Sequence, residues 1–206
     1  MYIIFFRMVH LYLRANKLKN MHRSKFFALL AIVFFSSNVF AQTYTVSDQS
    51  TAVVIGTSTL HDWESDVEEI NGEANIETSS GQLQDIPKMN LQFTVESIKS
   101  GKSRMDRITY EALKSEEHPQ ITYKILDVVS INGNRVTASG NLSIAGYKKE
   151  VMVKGMLMNG GNEIQIKGNH MIDMTEFQID PPTAMLGAIK VGKDVEFKFD
   201  ITLIKK

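Results

Sequence analysis

The stretch VEFKFDITL, residues 195–203, alternates apolar and polar side chains without a break. The same alternation runs through RVTASGNLSI, residues 135–144, and through residues 151–157 and 164–172. Because successive side chains of a strand point to opposite faces, each stretch predicts a β-strand with one apolar face. Glycines near the middle of three of these apolar rows favour a sheet that bends and closes on itself. The apolar face is expected to be buried either against a second sheet or by closure into a barrel, and the glycines favour a barrel with an apolar interior. The three glycines are Gly140, Gly155 and Gly168.

Dipeptides that favour tight turns recur at strand spacing along the chain. The pairs at residues 80–81, 132–133 and 159–160 (Ser-Gly, Asn-Gly and Asn-Gly) predict hairpin tips. The pair Asn71-Gly72 instead predicts a bulge inside one long strand, because the apolar alternation continues across it. A second bulge is expected where the apolar row moves from Ile125 to Leu126. With five earlier segments, eight or nine strands are expected. They lie near residues 44–46, 52–58, 66–78, 89–97 and 120–130.

One helix interrupts this all-β pattern. Ser103 and Asp106 have the spacing of a capping box, and an apolar helical face follows before the Pro119 stop. This helix is either a plug that closes one end of the barrel or a lid over a ligand entrance. A second irregular stretch, residues 176–193, is rich in apolar side chains and is expected to fold over the other rim or to line the mouth.

The first 41 residues have the pattern of an export signal. They contain no acidic residue, and a basic segment from Met21 to Lys25 precedes the apolar run of residues 26–35. The apolar run is too short for a hydrocarbon core of about 30 Å. We expect cleavage after Ala41 and a start codon at Met21, which leaves residues 42–206 as one exported domain. The absence of cysteine excludes a lipid anchor through an N-terminal cysteine.

Charge argues against a nucleic-acid partner. All 23 acidic side chains of the chain follow residue 41, together with only 17 of its 23 basic ones. A domain with this overall excess of negative charge is not expected to bind nucleic acid.

The order of several short motifs resembles the YceI-like family. They are the segment STLHDWE at residues 58–64, the segment from Leu113 through Pro119 into residues 121–123, the strand and turn of residues 140–149, and the closing segment of residues 185–195. This resemblance covers nearly all of residues 43–205. It implies an antiparallel up-and-down barrel of eight strands, like an extended lipocalin, with one short helical insertion. It also implies a periplasmic protein that encloses an isoprenoid or other long-chain lipid without catalysis. The helical insertion and Phe177-Gln178, where many members have an aromatic residue followed by glycine, depart from the family pattern.

Candidate ligand contacts follow from the apolar rows, the helix and the loop. His170 is the one polar residue in an otherwise apolar row, which predicts either a hydrogen-bonded structural histidine or a contact for a lipid head group. The glycines either make room for a ligand or only relieve strain where the sheet bends. The predicted cavity and rim residues are Phe93, Val95, Met105, Ile108, Leu113, Gly140, Gly155, Gly168, His170, Ile172, Phe177, Met185, Leu186, Phe197 and Phe199. Predicted head-group contacts are His61, Trp63 and Arg107, for which local stacking of the tryptophan and a solvated arginine are the structural alternatives.

Catalysis and cofactor binding have no support in the motifs. The chain lacks a nucleophile elbow, a phosphate loop, a cysteine and a metal-ligand spacing, so neither a metal nor another cofactor is expected. Charged residues in the outward rows exclude a lipid-facing exterior, so a membrane-embedded barrel is not expected. The remaining rival is a filled barrel that binds an envelope protein or acts in a stress response without lipid cargo. Its contact surface would be Met152, Met156 and Met158. The sequence does not determine the oligomeric state, and a homodimer is one of the alternatives.

Overall fold

The computed structural model describes residues 40–206 of the 206-residue chain. Residues 1–39 lie outside the described residues, and they include the expected start at Met21 and all but the last two residues of the predicted signal peptide. The predicted cleavage position after Ala41 falls within the first strand. The helix α1 is Ser103–Leu113, and the strands are β1 (Phe40–Val46), β2 (Thr51–Ser58), β3 (Trp63–Val67), β4 (Ile70–Ser79), β5 (Gln82–Thr94), β6 (Ile98–Lys99), β7 (Gln120–Asn132), β8 (Arg135–Ile144), β9 (Tyr147–Asn159), β10 (Glu163–Asp173), β11 (Thr183–Ala184) and β12 (Ile189–Lys205).

The strands form one antiparallel sheet that closes on itself. β12 pairs with β10 on one side, and on the other side it pairs first with β2 and then with β1. β1 and β2 are two parts of one long strand interrupted at residues 47–50, and β3 with β4 and β5 with β6 are divided in the same way. Counted by these long strands, the barrel has eight strands in up-and-down order, which confirms the predicted fold.

The barrel has two different ends. At one end, which we call the turn end, three tight hairpins join β4 to β5, β7 to β8 and β9 to β10. At the other, which we call the helix end, lie α1, the β2–β3 hairpin and the connection from β10 to β12. The predicted hairpin tips are confirmed at all three positions of the turn end. In the first, Ser80 and Gly81 both have the positive φ values, 52° and 78°, that a tight antiparallel turn requires.

Two predicted irregularities have different outcomes. The register between β7 and β8 shifts between Ile125 and Asp127, which confirms the predicted bulge there. Asn71-Gly72 lies inside β4, as predicted, but the pairing with β5 continues across these residues without a shift. The register shifts of β4 occur later, after Asn75. The bulge predicted at Ile125 is therefore confirmed, whereas the one predicted at Asn71-Gly72 is wrong.

The helix is present, but the predicted capping box is wrong. Lys102 occupies the N-cap position without a side-chain hydrogen bond, and Ser103 is already helical. The Asp106 carboxylate instead accepts hydrogen bonds from the backbone N–H and the hydroxyl of Ser100, at 2.8 and 2.5 Å. Asp106 therefore stabilises the loop that enters the helix, because its partner lies six residues earlier and not three.

The second irregular stretch also differs from its expected position. Residues 174–188 connect β10 to β12 at the helix end, so this stretch and α1 lie at the same rim and not at opposite rims. Ile179 and Pro182 of this stretch line the interior. This placement agrees with the other prediction for the stretch, that it lines the mouth.

The packed core lies toward the turn end. Ile164 of β10 stands opposite Leu203 of β12, and neither has any exposed surface. Ile76 is equally buried, and Tyr44 beside it is 1% exposed. These four side chains belong to one cluster of buried apolar residues, so this end needs no ligand to exclude water.

Candidate functional site: an apolar cavity

A cavity of about 500 Å³ occupies the barrel between the packed turn end and α1. Its volume is within the range of about 300–1,000 Å³ that small-molecule sites have. The floor is formed by residues next to the packed core, among them Val136, Leu157 and Ile201. The mouth lies at the helix end, because the lining there includes the exposed residues Leu60 and Lys102.

The burial of inward side chains distinguishes this cavity from a filled core. Val153, Ile166 and Phe197 belong to the apolar rows and face the barrel interior, yet each is only partly buried. Their free surface borders the cavity and not the outer solvent. The interior is therefore hollow over the part of each row that lies nearer the helix end.

Three phenylalanines cross and line this space. The rings of Phe93 on β5 and Phe197 on β12 meet edge to face with centroids 5.2 Å apart. Because β5 and β12 are not neighbouring strands, this contact spans the interior. Phe199 stacks on Phe197 at 5.9 Å. Such aromatic surfaces are rigid and provide a large apolar contact area for a ligand chain.

The three mid-strand glycines, Gly140, Gly155 and Gly168, differ in what lies over them. A Cβ atom at Gly140 would overlap the ring of Tyr123, and one at Gly168 would overlap the ring of Phe199. These two glycines accommodate aromatic rings that lie against the wall. No aromatic ring lies over Gly155, which lines the cavity itself. A Cβ there would lie 3.3 Å from Ile166 Cγ2 and from the Lys167 carbonyl oxygen, a close contact but not an overlap.

Two uncharged polar side chains, those of Tyr123 and His170, line the cavity away from the mouth. His170 is partly buried and makes no hydrogen bond with any described residue, and burial lowers its pKa, so the imidazole is neutral at pH 7. The Tyr123 hydroxyl is buried without a partner among the described residues, and burial raises its pKa to about 12. Among the described residues, His170 therefore lacks the hydrogen-bond partner that the predicted structural histidine would have.

The helix covers the cavity with its apolar face and is fixed at the rim. Met105 and Ile108 contribute to the lining. The Tyr110 hydroxyl donates a hydrogen bond to the carbonyl of Glu96 at 2.9 Å and accepts one from the Lys99 ammonium at 2.7 Å. This bond raises the pKa of Lys99. The contacts tie α1 to β6, so the helix forms a fixed part of the cavity wall.

Two of the predicted head-group residues lie at the rim. The Trp63 ring lies against Gly56, and its indole N–H donates to the carbonyl of Thr57 at 3.1 Å, so the predicted local stacking is present. His61 Nδ1 donates to the carbonyl of Asp62 at 2.6 Å, which leaves Nε2 free for another contact. Both residues also line the mouth.

Most of the predicted ligand contacts come together around this cavity. The lining contains Phe93, Met105, Ile108, Leu113, Gly155, His170, Ile172, Phe197, Phe199, His61 and Trp63. Val95 and Phe177 are buried outside the lining, where they pack against neighbouring elements. Gly140 and Gly168 lie behind aromatic rings, as described above. Of Met185 only the backbone is described.

Two further predictions need correction. Leu186 is fully exposed and does not line the cavity, because its left-handed backbone turns the side chain into solvent. Arg107 lies on the exposed face of α1 beside Glu111, at 3.8 Å, so the predicted solvated arginine is the correct alternative. Sequence reasoning missed the basic rim residues Lys102 and Arg104, whose place directly before and within the predicted helix was a usable signal. It also missed Leu91, which alternates with Phe93 on β5.

Two other features are absent from the described residues. Within residues 40–206 no cluster of three or more His, Cys, Asp or Glu side chains is arranged to hold a metal ion. In the same part of the chain, no helix has the length and apolar character needed to span a bilayer.

Comparison with solved structures gives the same fold at low sequence identity. BcnA of Burkholderia cenocepacia is 15% identical, with a TM-score of 0.63 over 75% of this chain and 96% of that protein. A polyisoprenoid-binding domain from Saccharophagus degradans, implicated in plant cell wall breakdown, is 10% identical, with a TM-score of 0.64 over 81% of this chain and all of that domain. The YceI protein of Campylobacter jejuni is 13% identical, with a TM-score of 0.56 over 68% and 82% of the two chains.

Sequence comparison assigns the family. No curated protein matches the chain significantly. The sequence model of the YceI-like domain matches residues 40–203, which is the whole barrel except its last residues. Since this match covers far more than half of the chain, the protein belongs to the YceI-like family.

Proposed function

We propose that this protein binds a long apolar lipid of the polyisoprenoid type in its barrel and carries or sequesters it without catalysis. The observation that carries the proposal is the cavity of about 500 Å³, whose described lining is apolar except at the mouth and at two uncharged polar side chains. No carboxylate belongs to this lining. A methylene chain placed in such a space gains about 0.8 kcal/mol for each CH₂ group removed from water, before ordering costs.

The family supports this choice of ligand. The relative from Saccharophagus degradans is described as a polyisoprenoid-binding domain, and it shares the barrel fold. In our proposal the residues that contact the ligand are those of the predicted set that line the cavity. His170 supplies the contact for a ligand oxygen, because its imidazole has no other hydrogen-bond partner among the described residues. His61 and Trp63 lie where an emerging head group would pass.

We also propose that the protein works in the periplasm or outside the cell. The support is the signal-like pattern of residues 1–41, with a basic segment, a short apolar run and small residues before position 42. A lipid with a long chain needs an enclosing protein to cross an aqueous compartment. A barrel with one hollow end suits that task.

The experiment is native mass spectrometry of the protein purified without detergent from its own host, followed by organic extraction and identification of the released lipid. The proposal predicts a bound species with the mass of an isoprenoid lipid, at near-stoichiometric occupancy. A protein that carries no lipid and takes up none from added isoprenoids would contradict it. That result would favour the rival role, a protein contact through Met152, Met156 and Met158, which are exposed on β9.

A further inference from the structure

The two most exposed large apolar side chains of the described residues both lie at the helix end. Leu60, at the tip of the β2–β3 hairpin, is 66% exposed, and Leu186, in the turn before β12, is fully exposed. Single exposed leucines are common on protein surfaces. Here, however, two occur on neighbouring loops beside the mouth of an apolar cavity.

Hydrogen bonds hold these two loops together. The Thr59 N–H donates to the carbonyl of Lys190 at 3.0 Å, and the Lys190 N–H donates to the Thr59 hydroxyl at 3.1 Å. Leu60 follows Thr59 directly, and Leu186 lies four residues before Lys190. The two leucines are thus presented on one connected rim.

The backbone at Leu186 has an unusual conformation. Its φ and ψ are 57° and 34°, the left-handed region that large side chains rarely adopt. This conformation directs the leucine away from the barrel, where it packs against nothing. A strained backbone that keeps an apolar side chain in water gives no stability to the fold, which points to a contact with something outside it.

The same rim carries free positive charge. Lys102 and Arg104 line the mouth, are exposed, and form no salt bridge with any described residue. Asp62 and Asp180 are exposed on the same two loops and also form no salt bridge with any described residue, but neither belongs to the lining of the mouth. Apolar tips flanked by basic side chains fit the interface of an anionic membrane, where leucines enter the acyl boundary and cations meet head groups.

We propose that the helix end docks on an anionic lipid membrane through Leu60 and Leu186, with Lys102 and Arg104 on the head groups. In this orientation the mouth faces the bilayer, so a lipid passes between membrane and cavity without crossing water. This passage of a lipid rests on the proposed function, whereas the docking itself does not. Met152, Met156 and Met158 are not part of this surface, because they lie on the side of the barrel.

The test is cosedimentation of the purified protein with two kinds of vesicle. One contains phosphatidylethanolamine and phosphatidylglycerol in equal parts, and the other contains phosphatidylcholine alone. We expect binding to the first, weakened by added salt, and much weaker binding to the second. Leu60→Ser and Leu186→Ser should each reduce partitioning by roughly tenfold, because each removes one leucine from the interface. Lys102→Gln and Arg104→Gln should each reduce it by roughly fivefold.

Met158→Ser is the matched control, since Met158 is an exposed apolar residue near the turn end of β9 and its replacement should leave partitioning unchanged. Uptake of an isoprenoid probe from detergent, without any bilayer, measures the proposed function separately, and Leu186→Ser should keep it. A wild-type protein that takes up the probe but ignores anionic vesicles would overturn the docking and leave the carrier role intact. Equal losses from Met158→Ser and Leu186→Ser would also overturn it, because the contact would then not be at the mouth.

Discussion

The turn end and the helix end of this barrel are built from the same eight strands and the same alternating pattern, yet one is solid and the other hollow. At the turn end, Ile164 and Leu203 lie side by side on the adjacent strands β10 and β12, and neither has any exposed surface. Eight residues further along β10, Ile172 occupies the same face but borders the cavity and is only partly buried. Alternation therefore decides which side chains point inward, whereas the residues across the barrel decide whether the space between them is filled.

The largest expected difference between the two ends is in stability. Ile164→Ala should lower the free energy of unfolding by about 3–4 kcal/mol, because it opens a void in a close-packed layer. Ile172→Ala, on the same strand and face, should cost only about 1–2 kcal/mol, since its side chain already borders open space. Urea denaturation of the two variants measures this comparison. Equal losses would mean that the helix end is packed as tightly as the turn end.

The glycines offer a second matched pair. Gly140→Ala should destabilise the fold by about 1–3 kcal/mol, because the new methyl group overlaps the ring of Tyr123. Gly155→Ala should change stability by less than about 1 kcal/mol in either direction, since its neighbours are in ordinary or slightly close contact. Thermal unfolding of both variants is the measurement, and a greater loss for Gly155→Ala would refute the different roles given to them.

Ligand binding should respond to the inner face of β9 and not to its outer face. Val153→Trp places a large ring in the cavity and should weaken isoprenoid binding by roughly tenfold, the equivalent of about two methylene contacts. Met152→Trp, at the adjacent and outward-facing position, is the control and should bind as wild type. Fluorescence titration with an isoprenoid probe separates the two, and a loss confined to Met152→Trp would move the site to the surface.

A smaller effect is expected at His170. If its imidazole contacts a ligand oxygen, His170→Leu should reduce affinity by roughly two- to tenfold for a probe that carries a carbonyl or hydroxyl group. The affinity for a hydrocarbon of the same length should be unchanged. The same titration with both probes tests this. Unchanged affinity for the oxygen-containing probe would exclude the contact.

The smallest predicted effect is on pH dependence. Burial lowers the pKa of His170 in the folded protein, so between that value and the ordinary histidine pKa of about 6.5 the unfolded chain binds more protons. Stability should therefore fall as pH drops below about 6.5, and His170→Leu should remove this part of the fall. Urea denaturation of both proteins at neutral and mildly acidic pH gives the difference. A steeper acid loss in the variant would contradict the buried, neutral histidine.

The fold was largely predictable, because hairpin signals and alternation act locally. The inward rows of β8 and β12, three hairpin tips, the helix and the bulge at Ile125 all follow from nearest-neighbour patterns. The capping of α1 was not predictable in this way, since Asp106 pairs with Ser100 through the loop geometry. The end of the barrel at which residues 174–188 lie was not predictable locally either. It depends on the direction of β10, and therefore on the number of strands that precede it.

The site was predictable only in part, for a physical reason. Alternation identified Phe197, Phe199 and His170 as inward residues, but whether a glycine leaves space depends on the ring that lies over it from another strand. Gly140 and Gly155 have the same local pattern and opposite surroundings. Leu186 has an apolar side chain that suggests a lining residue, whereas its left-handed backbone points it into solvent.

The central claim is that the helix end of the barrel holds a lipid. The most direct measurement is a crystal structure of the protein purified from its own host without added lipid or detergent. We expect continuous density for an apolar chain beside Phe93, Phe197 and Gly155, with any polar atom of the ligand near His170. An interior filled by the protein's own side chains, with no room for a chain between α1 and the packed turn end, would contradict it.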